Sequence, residues 1–119
     1  FPSFTMTAQF DAGWKDAGLD DSDLQDLQLA IGRAPEIGSV MSQTGGLRKL
    51  RFARPGGGKS GGVRVCYASF LNHGIIALVF VFQKNDRANL NRAERQAAAD
   101  LIQTIERKLA QRIQSGGRT

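Results

Sequence analysis

Between Gly46 and Tyr67 the chain reads as two strands joined by a glycine-rich loop. Arg48, Lys49, Arg51, Arg54, Lys59 and Arg64 lie in this stretch, and no acidic residue does. In the first strand Leu50 and Phe52 alternate with Lys49 and Arg51, so a period of two puts an apolar pair on one sheet face and a basic pair on the other. Val63, Val65 and Tyr67 define the second strand, with Arg64 and Cys66 on its other face. If the two strands pair as a hairpin, Arg64 joins Lys49 and Arg51 across the ladder. A fold that buries the apolar face must offer the cationic one to water or to a polyanion, most simply RNA or DNA.

The remaining elements follow from periodicity. Phe4-Thr5-Met6 reads as an edge strand. Phe10, Trp14 and Ala17 fall on one face of a short helix that ends near Gly18 or Asp20. Ser22-Asp23-Leu24-Gln25 has the form of a capping box, and Leu24, Leu27, Ile31 and Ala34 share a face of the helix that follows, which Pro35 stops. These make two short antiparallel helices with acidic outer faces. Residues 35–46 read as a loop. Asn72-His73-Gly74 is a hairpin turn, and Ile75 to Phe82 is almost wholly apolar, as a central strand covered on both faces would be. Asn91 caps a last helix whose apolar residues, Ala93, Ala97, Leu101, Ile105, Leu109 and Ile113, recur every four positions, widened by Ala98 and Ile102; 115–119 read as a frayed tail. The order β-α-α-β-β-β-α describes one small α+β domain over 1–119, a mostly antiparallel sheet packed against helices.

Charge is segregated along this order. Residues 1–46 carry a balance of −5, residues 47–87 one of +7 and residues 88–119 one of +3, within a net charge of +5. A merely solvated surface has no reason to separate the signs so strongly, which favours phosphate binding. The single cysteine forms no intramolecular disulfide, so a reducing cytoplasm fits best, and no apolar run reaches the roughly 18 residues that span a bilayer. Nothing at the N-terminus has the pattern of a signal peptide.

Several chemistries are excluded. Ala53-Arg54-Pro55-Gly56-Gly57-Gly58-Lys59-Ser60 nearly matches a phosphate-cradling loop, but that motif needs a helix after it, and Gly61-Gly62 followed by Val63-Arg64-Val65 begins a strand instead. The loop is read as a hairpin connection presenting Lys59. One histidine, His73, rules out a two-histidine ribonuclease, and its place in a turn makes it a solvent-exposed residue. One His and one Cys cannot build a zinc site, Cys66 reads as a small core residue, and no cofactor or metal is implied. What remains is Arg48, Lys49, Arg51, Arg54, Lys59, Arg64, Lys84 and Arg87. Such a cluster can hold a phosphodiester and stabilise charge in its transition state, and a lysine among like charges can exchange protons near neutral pH. Binding alone would use the same residues.

Three stretches resemble the RelE/HigB-type toxins of bacterial toxin–antitoxin modules. They are Gly45-Gly46-Leu47-Arg48-Lys49-Leu50-Arg51-Phe52, Gly58-Lys59-Ser60-Gly61-Gly62-Val63-Arg64-Val65-Cys66-Tyr67, and Lys84-Asn85 with Leu90 and Glu94. The residues around Trp14, Gly18-Leu19, Leu24 and Pro35 are similar to one branch of the family, so the likeness covers about residues 4–110. The resemblance implies a microbial-ribonuclease-like fold and ribosome-dependent cleavage of messenger RNA in the A site by attack of the ribose 2′-hydroxyl. Carried over by position, Lys49 takes a proton-transfer or charge-stabilising role, Arg51 and Arg64 stabilise the phosphate, and Lys84 is leaving-group partner or general acid. Arg48, Arg54, Lys59 and Arg87 would bind RNA. Some relatives place a catalytic tyrosine where this chain has Leu90, so the general base is unassigned. The family further implies a cognate antitoxin, a small protein with a helix-turn-helix DNA-binding domain, and as partners the ribosome with its messenger and ribosomal RNA, in the bacterial cytoplasm and without a membrane. Two alternatives stand beside this reading: a ParE-like toxin that poisons DNA gyrase, and a non-catalytic nucleic-acid-binding module.

Overall fold

The apolar run 75–82 forms strand β5 (Ile75–Gln83), buried from Ile76 through Phe82 because helices cover both of its faces. The computed structural model describes residues 1–53, 62–83 and 89–116. Its other elements are β1 (Ser3–Met6), α1 (Ala8–Asp16), α2 (Asp21–Arg33), β2 (Ser39–Val40), β3 (Arg48–Phe52), β4 (Val63–Phe70) and α3 (Arg92–Gly116). The five strands make one sheet in the order β1-β5-β4-β3-β2, with β1 parallel to β5 and every other pair antiparallel. The expected α+β domain with a mostly antiparallel sheet is therefore present, and β1 is an edge strand as its sequence implied. Two details differ. β5 is interior, but β4 holds the middle place, and the stretch expected to be a plain loop contains the two-residue strand β2.

One face of the sheet is covered by α1 and α2. Thr7 starts α1: its hydroxyl accepts from the Phe10 amide at 3.0 Å and donates to the Val79 carbonyl at 2.7 Å, fastening the helix to β5. A Cβ at Gly13 would stand 2.7 Å from the Val81 carbonyl oxygen, so α1 lies against β5 at a distance only glycine allows. The cap of α2 corrects the sequence reading. Asp20, not Ser22, is the N-cap; its side chain accepts from the Asp23 amide while Asp23 accepts from the Asp20 amide, both at 2.9 Å. Aspartate serves as well as serine in that motif, and the chain offers both in succession. Phe10, Trp14, Leu27 and Ile31 then bury against Val63, Val65, Tyr67, Ile76, Leu78 and Val81.

The opposite face is covered by α3, which starts where expected: Asn91 Oδ1 accepts from the Glu94 amide at 2.8 Å and Glu94 Oε1 accepts from the Asn91 amide at 2.9 Å. Its buried stripe is Ala98, Ile102 and Leu109, flanked by Leu101 and Ile105, whereas Ala93 and Ala97 are exposed. A strict four-residue repeat advances about 40° per step around a helix of 3.6 residues per turn, so its early members turn away from the face its later ones occupy. The Ile113 side chain lies outside the described residues. The helix continues through residues 115 and 116, expected as tail, and 117–119 lie outside the described residues.

Candidate nucleic-acid interface

Residues opposite each other in an antiparallel ladder share a face. The β3–β4 register sets Lys49 against Cys66 and Arg51 against Arg64, and β4–β5 sets Arg64 against Phe82. Lys49, Arg51 and Arg64 are thus brought together on the face that α3 covers further along, where Cys66, Phe80 and Phe82 belong to the core beneath that helix. The basic trio sits at the border of that core.

Arg51 and Arg64 are directly opposed like charges, an arrangement that costs a sheet stability. Arg64 is half-buried, and its Nη1 is buried with no hydrogen-bond partner among the described residues. A desolvated guanidinium N–H without an acceptor is costly, and an anionic oxygen is the ligand that satisfies it best. Lys49 lies one pleat along β3 and lines a shallow cavity of about 340 Å³ with Ser39, Val40, Met41, Ser42, Asn89 and Arg95. Among the described residues no group of three or more His, Cys, Asp or Glu is placed to hold a metal ion, and no helix is long and apolar enough to cross a membrane.

A family model described as the RelE toxin of the RelE/RelB toxin–antitoxin system matches residues 5–117. The chain belongs to the RelE toxin family. It is a toxin of a toxin–antitoxin system, and the family implies an antitoxin partner.

Not every basic residue of this RelE-family toxin joins the trio. Arg48 alternates onto the face of Leu50 and Phe52, and its Nη1 donates to the Gly38 carbonyl at 2.7 Å and the Glu36 carbonyl at 3.3 Å. There it holds the segment leading into β2. Arg54, Lys59, Lys84 and Arg87 lie outside the described residues. His73 is half-buried rather than solvent-exposed, beside Ile75, Leu109 and Arg112, because the turn folds as a short 3-10 segment, Leu71–His73, that closes on Gly74. Leu90 is a core residue under α3, where it packs apolar surface.

Tyr67, the one tyrosine, is fully buried on the opposite face; its hydroxyl donates to the Pro35 carbonyl at 2.8 Å and accepts from the Gly38 amide at 2.9 Å. Burial pushes this phenol above its ordinary pKa, outweighing the Gly38 amide and the Arg48 charge, which pull it down. The fold therefore favours the protonated form: the stabilisation is present below pH 10.0, the usual tyrosine value, and is lost as pH rises through the higher folded-state value. Tyr67→Phe should lower stability by about 1–3 kcal/mol at neutral pH by leaving the Gly38 amide unpaired. Urea unfolding of both proteins checks this. The gap should narrow above pH 10.0, and a gap independent of pH would contradict this placement of the phenol.

Arg92 and Arg95 carry no signal in the sequence beyond lying three residues apart on the first turns of α3. Arg95 donates through Nη1 to the Ser42 carbonyl at 2.8 Å and through Nε to the Leu90 carbonyl at 3.3 Å, which tethers α3 to the loop after β2. Nothing local in the sequence foretells that this flank of the helix borders the cavity of Lys49.

Proposed function

We propose that this toxin is a ribosome-dependent endoribonuclease that cleaves messenger RNA in the A site, inhibiting translation and growth in the bacterial cytoplasm until its antitoxin neutralises it. The observation that carries the reading is the buried Arg64 Nη1, opposite Arg51 and without a hydrogen-bond partner among the described residues. Family membership supports it further, since RelE-family toxins are generally endoribonucleases.

In the reaction, the ribose 2′-oxygen loses its proton and bonds to the adjacent phosphorus. The bond to the 5′-oxygen then breaks, leaving a 2′,3′-cyclic phosphate on one fragment and a 5′-hydroxyl on the other. Arg51 and Arg64 hold the phosphate and neutralise the charge that grows on its oxygens. Lys49 accepts the 2′-proton or stabilises the alkoxide, and Lys84 protonates the leaving oxygen. Arg54, Lys59 and Arg87 bind RNA around the site. The antitoxin is a small helix-turn-helix DNA-binding protein with an acidic segment that covers the cationic face, where it would compete with RNA.

Inducing the chain in bacteria and mapping RNA 5′ ends tests this reading. New ends within translated reading frames are expected within minutes of induction. Arrested growth with intact messages and DNA breaks that require gyrase would overturn it in favour of a gyrase poison.

A further inference from the structure

The cavity of Lys49 does not end at Arg95. A second depression of about 390 Å³ is lined by Gln43, Gly45, Arg92, Arg95, Gln96 and Ala99, so Arg95 borders both. Its guanidinium is held in place by the Ser42 and Leu90 carbonyls, and its Nη2 has no hydrogen-bond partner among the described residues. Arg92 is exposed beside it. No acidic side chain lines either depression among the described residues.

The loop opposite α3 is fastened by internal hydrogen bonds and a close contact with the helix. Thr44 is fully buried; its hydroxyl donates to the Met41 carbonyl at 2.7 Å and accepts from the Leu47 amide at 3.0 Å. Gly45 packs so closely on α3 that a Cβ there would lie 3.2 Å from Ala99 Cα. Gln43, just before Thr44, adopts φ 60°, a left-handed conformation uncommon outside glycine and concentrated at functional positions. Two arginines and the Gln43 amide thus line a groove continuous with the cavity of Lys49, while the Gln96 amide at its edge donates to Asp100 Oδ1 at 3.0 Å. Arginine forks suit phosphate, and the Gln43 amide can bond a base edge or a sugar hydroxyl.

We propose that Arg92, Arg95 and Gln43 form a second phosphate subsite, which holds the RNA strand one or more nucleotides away from the phosphate bound at Arg51 and Arg64. This rests on the ribonuclease reading above and adds where the substrate strand runs: from the β3–β4 face, past Lys49, along the first two turns of α3. The strand is recognised there chiefly by its backbone, so the subsite lengthens the footprint rather than selecting a sequence.

Uncleavable 2′-O-methyl RNAs of two and of eight nucleotides, titrated against the full chain by fluorescence anisotropy at several KCl concentrations, test the subsite. Arg92→Ala removes an exposed side chain and should keep the fold. It should lower the ratio of eight-nucleotide to dinucleotide affinity about fivefold and reduce the salt slope for the longer probe by about 0.7, as one lost phosphate contact to a single strand does. An unchanged ratio, with Arg64→Ala weakening both probes, overturns the subsite and leaves the ribonuclease reading standing. If Arg64→Ala weakens neither probe, that reading fails with it. Loss of affinity for the purified antitoxin, but not for the eight-nucleotide probe, would make the groove a protein-binding surface and also overturn the proposal.

Discussion

Arg64→Ala should abolish toxicity in growing cells while the protein remains folded and still binds its antitoxin. The side chain stands opposite Arg51 and keeps a buried Nη1 without an acceptor among the described residues, so there it is a cost rather than a tie. Deleting it removes a like-charge contact and no hydrogen bond made by the described residues, and unfolding free energy should stay within about 0.5 kcal/mol of wild type. On the proposed ribonuclease reading, the same guanidinium would face the charge developing on the phosphate oxygens in the transition state. Losing one preorganised donor of that kind slows cleavage by about 10²–10³-fold. Single-turnover cleavage on programmed ribosomes, with a urea melt of the same preparations, separates the two effects. An Arg64→Ala protein that unfolds, or that cleaves at the wild-type rate, contradicts the assignment.

Trp14→Ala should have the largest effect on stability, about 3–5 kcal/mol, a large share of the roughly 5–15 kcal/mol that hold such a domain together. The indole stacks on Phe10 at 5.5 Å, tilts against Phe52 at 5.6 Å, and donates from Nε1 to the Asp20 carbonyl at 3.1 Å. It therefore ties α1 to the cap of α2 and to the back of β3, the strand whose other face carries Lys49 and Arg51. Trp14→Phe keeps the aromatic packing and gives up the indole hydrogen bond, so a loss nearer 1 kcal/mol is expected. Thermal unfolding followed by circular dichroism ranks the three proteins. Equal losses for the two variants would mean that the hydrogen bond, and not the packing, carries the effect.

The sequence made the basic face legible because β3 and β4 obey a period of two without exception. Lys49 and Arg51 had to part from Leu50 and Phe52, and Arg64 from Val63 and Val65. By the same rule Arg48 belongs with Leu50, where its guanidinium bonds the Glu36 and Gly38 carbonyls. Strand β2 escaped notice since two residues show no periodicity; it exists because Ser39 and Val40 pair with Lys49 and Arg48, beside the segment that Tyr67 and Arg48 hold. The closeness of α1 to β5 at Gly13 and the contact of Arg95 with Ser42 join residues 68 and 53 positions apart, distances at which no local pattern carries information.

The most direct test of the central claim is chemical. Purified toxin is mixed with ribosomes holding a defined messenger, and the ends of any cleaved fragments are identified. Cleavage in the A site that leaves a 2′,3′-cyclic phosphate and a 5′-hydroxyl, requires the ribosome, proceeds in EDTA-treated toxin and is lost with Arg64→Ala is the predicted result. An intact messenger, or fragments whose formation is indifferent to Arg64, would contradict it.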